Sequence, residues 1–208
     1  MAEKSLRWEK AEMEVFWGEI APHHHLVQIY EDQDVFIGTL TDFVVNGILL
    51  NESVIIIATT LHLTALKTHL VERDIDFVRL EADGQLILRD AEEALGEFMV
   101  DGWPDKELFR KMVYDLVSRG REGNRKVRAF GEMVALLWAR GDNGATVQLE
   151  HLWDEFCRNE AFYLLCAYPR SGFTEDATQS LQNICAAHSM ILEGSRNKSG
   201  NVVFRCVA

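Results

Sequence analysis

The residues best equipped for chemistry gather early in the chain. His23-His24-His25 leads into the apolar run Leu26-Val27-Gln28-Ile29-Tyr30, which empties into the acidic turn Glu31-Asp32-Gln33-Asp34. A phenol, an amide and carboxylates at one turn could bind a cation, or the amine or hydroxyl group of a small ligand. The competing assignment is helix capping, because carboxylates ahead of a helix favour the positive end of its dipole. Phosphate binding is disfavoured. A Walker-type loop needs glycines whose amides face the phosphates, plus a lysine; this turn has neither, and its carboxylates would repel a triphosphate. Consecutive histidines on a strand point to alternate faces, so at most two of the three could reach one metal. No second cluster of ligand spacing lies near them in sequence. They are assigned to a partly exposed loop entering a strand, with no metal and no cofactor.

Glu132 is the second candidate. It follows an apolar run at the position where many α/β proteins carry a carboxylate, and could act as a base, bond a ligand, or cap the next helix. Cys166 and Tyr168 fall near the end of a later apolar run and are expected to line the same crevice. His62, His69 and His188 are scattered and are assigned solvated or structural roles. Trp138, Trp153 and Tyr163 are assigned to the core. There is no Ser-His-Asp order, GxSxG elbow, GxGxxG loop or HExxH helix. No catalytic residue is assigned. The ligand-site candidates are His25, Tyr30, Glu31, Asp32, Glu132, Cys166 and Tyr168.

The elements that must position these residues alternate. Apolar runs over residues 26–30, 54–58, 86–88, 126–130 and 162–168 read as strands, and residues 202–204 as an edge strand. The continuous Val54-Ile55-Ile56-Ile57-Ala58 suits a strand covered on both faces. Helical spacing covers residues 34–50, with Asp32 or Asp34 as N-cap, then 60–73, 91–98, a helix opened by Pro104 and ending near 118, the stretch after Glu132, and 145–159 and 176–187. Residues 5–18 could form an amphipathic helix with Trp8 and Trp17 to bury. The alternation predicts a three-layer α/β fold with a mostly parallel central sheet. Residues 1–20 are read as an N-terminal extension, and 21–208 as a single domain.

Composition narrows the classes. The 208 residues are 48% hydrophobic and carry a formal net charge of −12, so no basic surface is available for nucleic acid or anionic membrane. Four cysteines without a CxxC pair read as buried free thiols of a reducing compartment. With no apolar run of membrane-spanning length and no signal-peptide core, the expected location is cytoplasmic.

The ordered series of segments resembles the MEDS domain, the sensory domain named for methanogens, methylotrophs and the dichloromethane-responsive repressor. The resemblance rests on His25-Leu26-Val27-Gln28-Ile29-Tyr30-Glu31, residues 54–58 and Gly84-Gln85-Leu86. It continues through Met99-Val100-Asp101-Gly102-Trp103-Pro104, Val127-Arg128-Ala129-Phe130-Gly131-Glu132-Met133, Leu165-Cys166-Ala167-Tyr168 and Ile184-Cys185-Ala186-Ala187-His188-Ser189. It implies a KaiC/RecA-like (P-loop NTPase-like) fold with a degenerate nucleotide loop. It also implies a role in prokaryotic signal transduction, sensing small hydrocarbon derivatives, with His25, Tyr30, Glu31, Glu132 and Tyr168 as ligand-site positions. An output domain like that of fused relatives is not expected in this chain, and its expected partners are a small organic ligand and a signalling protein such as a histidine kinase or transcription regulator. Direct nucleic-acid or membrane binding is not expected, and self-association is left open. The alternatives are a pure protein-interaction regulator and, last, a residual nucleotide- or metal-dependent hydrolase.

Overall fold

The computed structural model describes residues 24–173, 182, 184–196 and 202–207. The expected helix over residues 5–18, together with His23, lies outside them.

The β-branched run forms β2 (Ser53–Ala58), in which every residue is buried. It pairs on one side with β3 (Leu86–Asp90) and on the other with β6 (Val127–Gly131). Beyond β6 come β7 (Tyr163–Pro169), β1 (His25–Tyr30), β8 (Met190–Arg196) and β9 (Val202–Val207), giving the order β3-β2-β6-β7-β1-β8-β9. All neighbours are parallel except β9, which runs antiparallel to β8 and closes the edge. A separate two-strand ribbon pairs β4 (Met99–Val100) with β5 (Trp103–Pro104).

Helices cover both faces. On one lie α1 (Gln33–Leu49), α2 (Thr60–Glu72) and the short α3 (Phe77–Ala82). Phe36, Leu40, Phe43, Leu66 and Leu70 pack there against Leu26, Val54, Ile56, Phe130 and Leu165. On the other lie α4 (Ala91–Phe98), α5 (Lys106–Gly120), α6 (Met133–Ala139) and α7 (Asn143–Glu160). Phe98, Phe109, Trp138, Trp153 and Phe156 meet Val27, Ile55, Ile57, Ala129 and Leu164. This is the expected three-layer α/β fold, and the tryptophans assigned to the core are in it.

Two local readings are corrected. Pro104 does not open a helix: it belongs to β5, and Asp105 caps α5 by accepting from the Glu107 and Leu108 amides. Strand β8 and helix α3 were not expected, because neither segment carries a long periodic apolar pattern. Of the helix expected over 176–187, residues 182 and 184–186 are helical, residue 187 is a turn, and the rest lies outside the described residues.

A buried ion pair fastens α1 to the sheet. Arg128 in β6 is fully buried, and its Nε donates to Glu52 Oε2 at 2.6 Å. Its Nη1 donates to the Phe43 carbonyl at 2.9 Å, and the guanidinium lies between the rings of Phe43 and Tyr163. The Tyr163 hydroxyl donates to the same Glu52 oxygen at 2.6 Å. Space for Arg128 comes from Gly47 of α1, where a Cβ would stand 2.7 Å from Arg128 Cδ and Nε.

Candidate functional site

Two polar clusters stand out, one at the carboxyl ends of the strands and one beneath α7. The first arises where connections diverge. After β2 the chain turns into α2 on one face; after the adjacent β6 it turns into α6 on the other. Such a switch point opens a crevice beyond the strand ends. Glu132 sits there. Its amide donates to the Ile57 carbonyl at 2.9 Å, which aims its side chain at the loop after β2. Oε2 accepts from the Thr59 amide at 2.9 Å, and Oε1 lies 2.6 Å from His62 Nδ1. Although Glu132 occupies the N-cap position of α6, its side chain makes no capping bond. It bridges two loops instead.

His62 reaches onward, its Nε2 lying 3.1 Å from Gln33 Oε1 at the start of α1. Phe36 meets the His62 ring edge-on, at 5.0 Å between centroids, and stacks on Tyr30 at 4.5 Å. Burial, and then the charge of Glu132, push the Tyr30 phenol up to about 12, against a hydrogen bond from Gln33 that draws it down. At the rim, Thr60 Oγ1 donates to Asp90 Oδ2 at 2.7 Å. A phenol, an imidazole, an amide and a carboxylate thus converge at the ends of β1, β2 and β6, with Phe36 packed against the phenol and the imidazole, and Gln33 and Thr60 exposed beside them.

The acidic turn contributes less than expected. Asp32 is the α1 N-cap and accepts from the amides of Asp34 (2.8 Å) and Val35 (3.2 Å). Those amides are the ones a phosphate loop would offer its ligand. Glu31 is exposed and pairs with Arg170 at 3.1 Å.

The second cluster lies on the opposite face. His25, the first residue of β1, is fully buried rather than in a partly exposed loop. Its Nε2 is 3.3 Å from Cys166 Sγ and 3.5 Å from Glu150 Oε2 of α7. His188 Nε2 is 3.4 Å from the same Glu150 oxygen, and its ring lies 4.0 Å from that of His25. Tyr168 donates its hydroxyl to Glu150 Oε1 at 2.5 Å. Burial dominates the ionisation of every member. It raises Glu150 to about 8, with the Tyr168 hydrogen bond pulling partly back; it lowers His188 to about 4 and His25 well below the usual range; and it raises Cys166 and Tyr168.

Comparisons agree with this architecture. The family profile described as MEthanogen/methylotroph, DcmR Sensory domain (MEDS) matches residues 24–189. The chain belongs to the MEDS family. No curated protein matches it in sequence. Among solved structures, the protein PH0250 from Pyrococcus horikoshii OT3 is similar, with a TM-score of 0.61, 11% identity, and coverage of 92% of this chain and 90% of that one. The KaiC-like protein PH0186 from the same hyperthermophilic archaeon is similar too, with a TM-score of 0.60, 12% identity, and coverage of 89% and 80%. At these identities the likeness establishes the fold, which is KaiC-like, as the resemblance implied.

Within this MEDS domain the seven sequence candidates divide. Tyr30 and Glu132 share the strand-end crevice; Glu31 and Asp32 lie at the same end but serve a surface pair and a cap. Cys166 and Tyr168 do not line that crevice, since their side chains join His25 on the other face. Of the histidines assigned solvated or structural roles, His62 and His188 are buried polar partners, one in each cluster. Glu150 went unnoticed, although a signal was present. Thr146, Glu150, Trp153 and Cys157 form one helical stripe of α7, and all four are buried. A carboxylate on an apolar stripe marks a buried polar site. Gln33, whose amide the acidic turn offered as a ligand group, is not among the seven candidates.

Proposed function

We propose that this MEDS domain is a sensory module that binds a small organic amine or alcohol at the crevice of Tyr30, Gln33, His62 and Glu132, without turning it over, and passes occupancy to a signalling protein. The observation that carries this reading is the convergence of those four side chains at the strand-end switch point, where Asp32 already caps the α1 amides. The set pairs an acceptor-rich carboxylate and amide with an aromatic wall, which suits a compact ligand with a donor group and a short apolar body. Family membership supports the sensory role, and the strand-end position supports signalling, because ligand contacts there would pull on the starts of α1, α2 and α6 together.

The test is a thermal-shift series with methylamine, trimethylamine, methanol, ethanol and short carboxylates. A ligand at 100 times its dissociation constant stabilises a native protein by about 2.7 kcal/mol. In a chain of this size that corresponds to a rise of roughly 5–10 °C. The rise should vanish in Tyr30→Phe and Glu132→Gln and persist in Glu31→Gln, on the rim. No response to any amine or alcohol, or a response that survives both crevice substitutions, would overturn the assignment.

A further inference from the structure

We propose that His25, Glu150, Cys166 and His188 form a closed binding site for a transition-metal ion of the zinc(II) class. One ligand atom from each residue lies within 4.8 Å of all the others. The contacts of 3.3 Å (His25 Nε2 to Cys166 Sγ), 3.5 Å (His25 Nε2 to Glu150 Oε2) and 3.4 Å (His188 Nε2 to Glu150 Oε2) have the lengths of a tetrahedron's edges. With zinc–nitrogen and zinc–oxygen bonds of about 2.0–2.2 Å and a zinc–sulfur bond of about 2.3 Å, tetrahedral edges come to roughly 3.3–3.6 Å.

The hydrogen bonding points the same way. Glu150 Oε2 and His188 Nε2 are buried with no hydrogen-bond partner, although each faces the other ligands. Buried polar atoms left so are rare, and an ion is one of the standard reasons for them. The outer atoms of Glu150 and His188 are engaged, whereas the outer Nδ1 of His25 has no hydrogen-bond partner among the described residues. His188 Nδ1 lies 2.6 Å from the Ile184 carbonyl, which fixes the proton on Nδ1 and leaves the Nε2 lone pair facing inward. Tyr168 holds the other Glu150 oxygen. This is the outer shell that orients metal ligands. Two neutral imidazoles, one thiolate and one carboxylate around a divalent ion sum to zero charge, as a fully buried site demands. Four protein ligands leave no open coordination position, so the site is structural or regulatory. It would clamp α7 and the segment entering β8 onto β1 and β7.

The measurement uses cobalt(II) alone, added to the purified, chelator-treated full chain, with metal content of the untreated protein determined by mass spectrometry. Expected are about one bound zinc-class ion per chain, a thiolate-to-cobalt charge-transfer band and the visible bands of a tetrahedral site. Cys166→Ser should abolish the charge-transfer band, and His188→Gln should weaken binding. Tyr168→Phe, which spares every ligand, should lower affinity about 10-fold or more. Cys185→Ser and His24→Ala should leave the spectrum unchanged. Metal-free protein without a cobalt spectrum, or a band that survives Cys166→Ser and disappears in Cys185→Ser, would overturn the assignment.

Discussion

Glu132 and His62 meet at 2.6 Å, joining the loop after β6 to the first turn of α2 across a boundary where the chain leaves the sheet in opposite directions. The same carboxylate holds the Thr59 amide, so a single side chain sets the mouth of the crevice.

That pairing should appear as energetic coupling. Hydrogen bonds to charged groups are worth about 1.5–3 kcal/mol each. Glu132→Ala, which strands both the Thr59 amide and His62, should therefore lower unfolding free energy by roughly that range or more. A double-mutant cycle with His62→Phe, followed by urea denaturation, should give a coupling of about 0.5–3 kcal/mol. Strict additivity would mean the two residues act independently.

Asp32 is expected to behave as a cap and nothing more. Asp32→Ala should cost about 1 kcal/mol of stability, and Asp32→Ser should restore most of it. Equilibrium unfolding of both variants checks this. A loss of ligand response in Asp32→Ser would return the residue to the binding site.

Gly47→Ala puts two effects in opposition. Alanine favours a helix interior over glycine by roughly 0.5–1 kcal/mol, but its Cβ would stand 2.7 Å from Arg128 and from Val54 Cγ2. Arg128 is held by Glu52, Asn46 and the Phe43 carbonyl and has nowhere to move. Overpacking of this kind costs about 1–3 kcal/mol, so the variant should be less stable despite its better propensity. Arg128→Met alone should cost about 3–5 kcal/mol by leaving Glu52 buried without a counter-charge, and pairing it with Glu52→Gln should recover much of that loss.

How much of this could be read from the chain depends on which physical signal each part leaves in sequence. Strand β2 is legible because burial on both faces imposes a continuous apolar run, and β1, β6 and β7 because burial keeps their runs mostly apolar, broken in β1 by Gln28 and in β6 by Arg128. The central helices were legible through their 3.6-residue spacing. Tyr30 and Glu132 could be found because both lie at strand ends, where α/β folds keep their ligands. The grouping of candidates could not. Which face a strand residue occupies depends on register, and register appears only when partners are known: Val27 opposite Cys166, and Ile29 opposite Tyr168. Tyr168 was therefore placed with Tyr30, although they project into different layers. Residues 25, 150, 166 and 188 are far apart in sequence, and only the parallel pairing of β1 with β7 and β8 brings them together.

Ionisation of the buried phenols offers a pH test. Tyr30 is raised to about 12, and Tyr163 is raised further, chiefly by burial. A phenol whose folded value exceeds its unfolded value of about 10 adds stability that is fully present below pH 10 and is lost as pH climbs toward the folded value. Phenolate absorbance from these two residues should therefore lag behind that of the urea-unfolded chain, and should emerge together with loss of circular dichroism. Tyr30→Phe should remove part of the lag. Complete phenolate formation near pH 10 in the folded protein would contradict the burial of both rings.

Strand β1 has a further property. His25 opens it and Tyr30 closes it, five residues apart, so the alternation of a strand sends one side chain into each layer, and parallel neighbours grip the strand on both edges. A slip of one residue would turn both side chains to the wrong face at once. The two clusters are thus heritable only as a unit. An insertion or deletion within these six residues would erase both, whereas changes of length in the loops leading to α2 or α7 could alter one and spare the other.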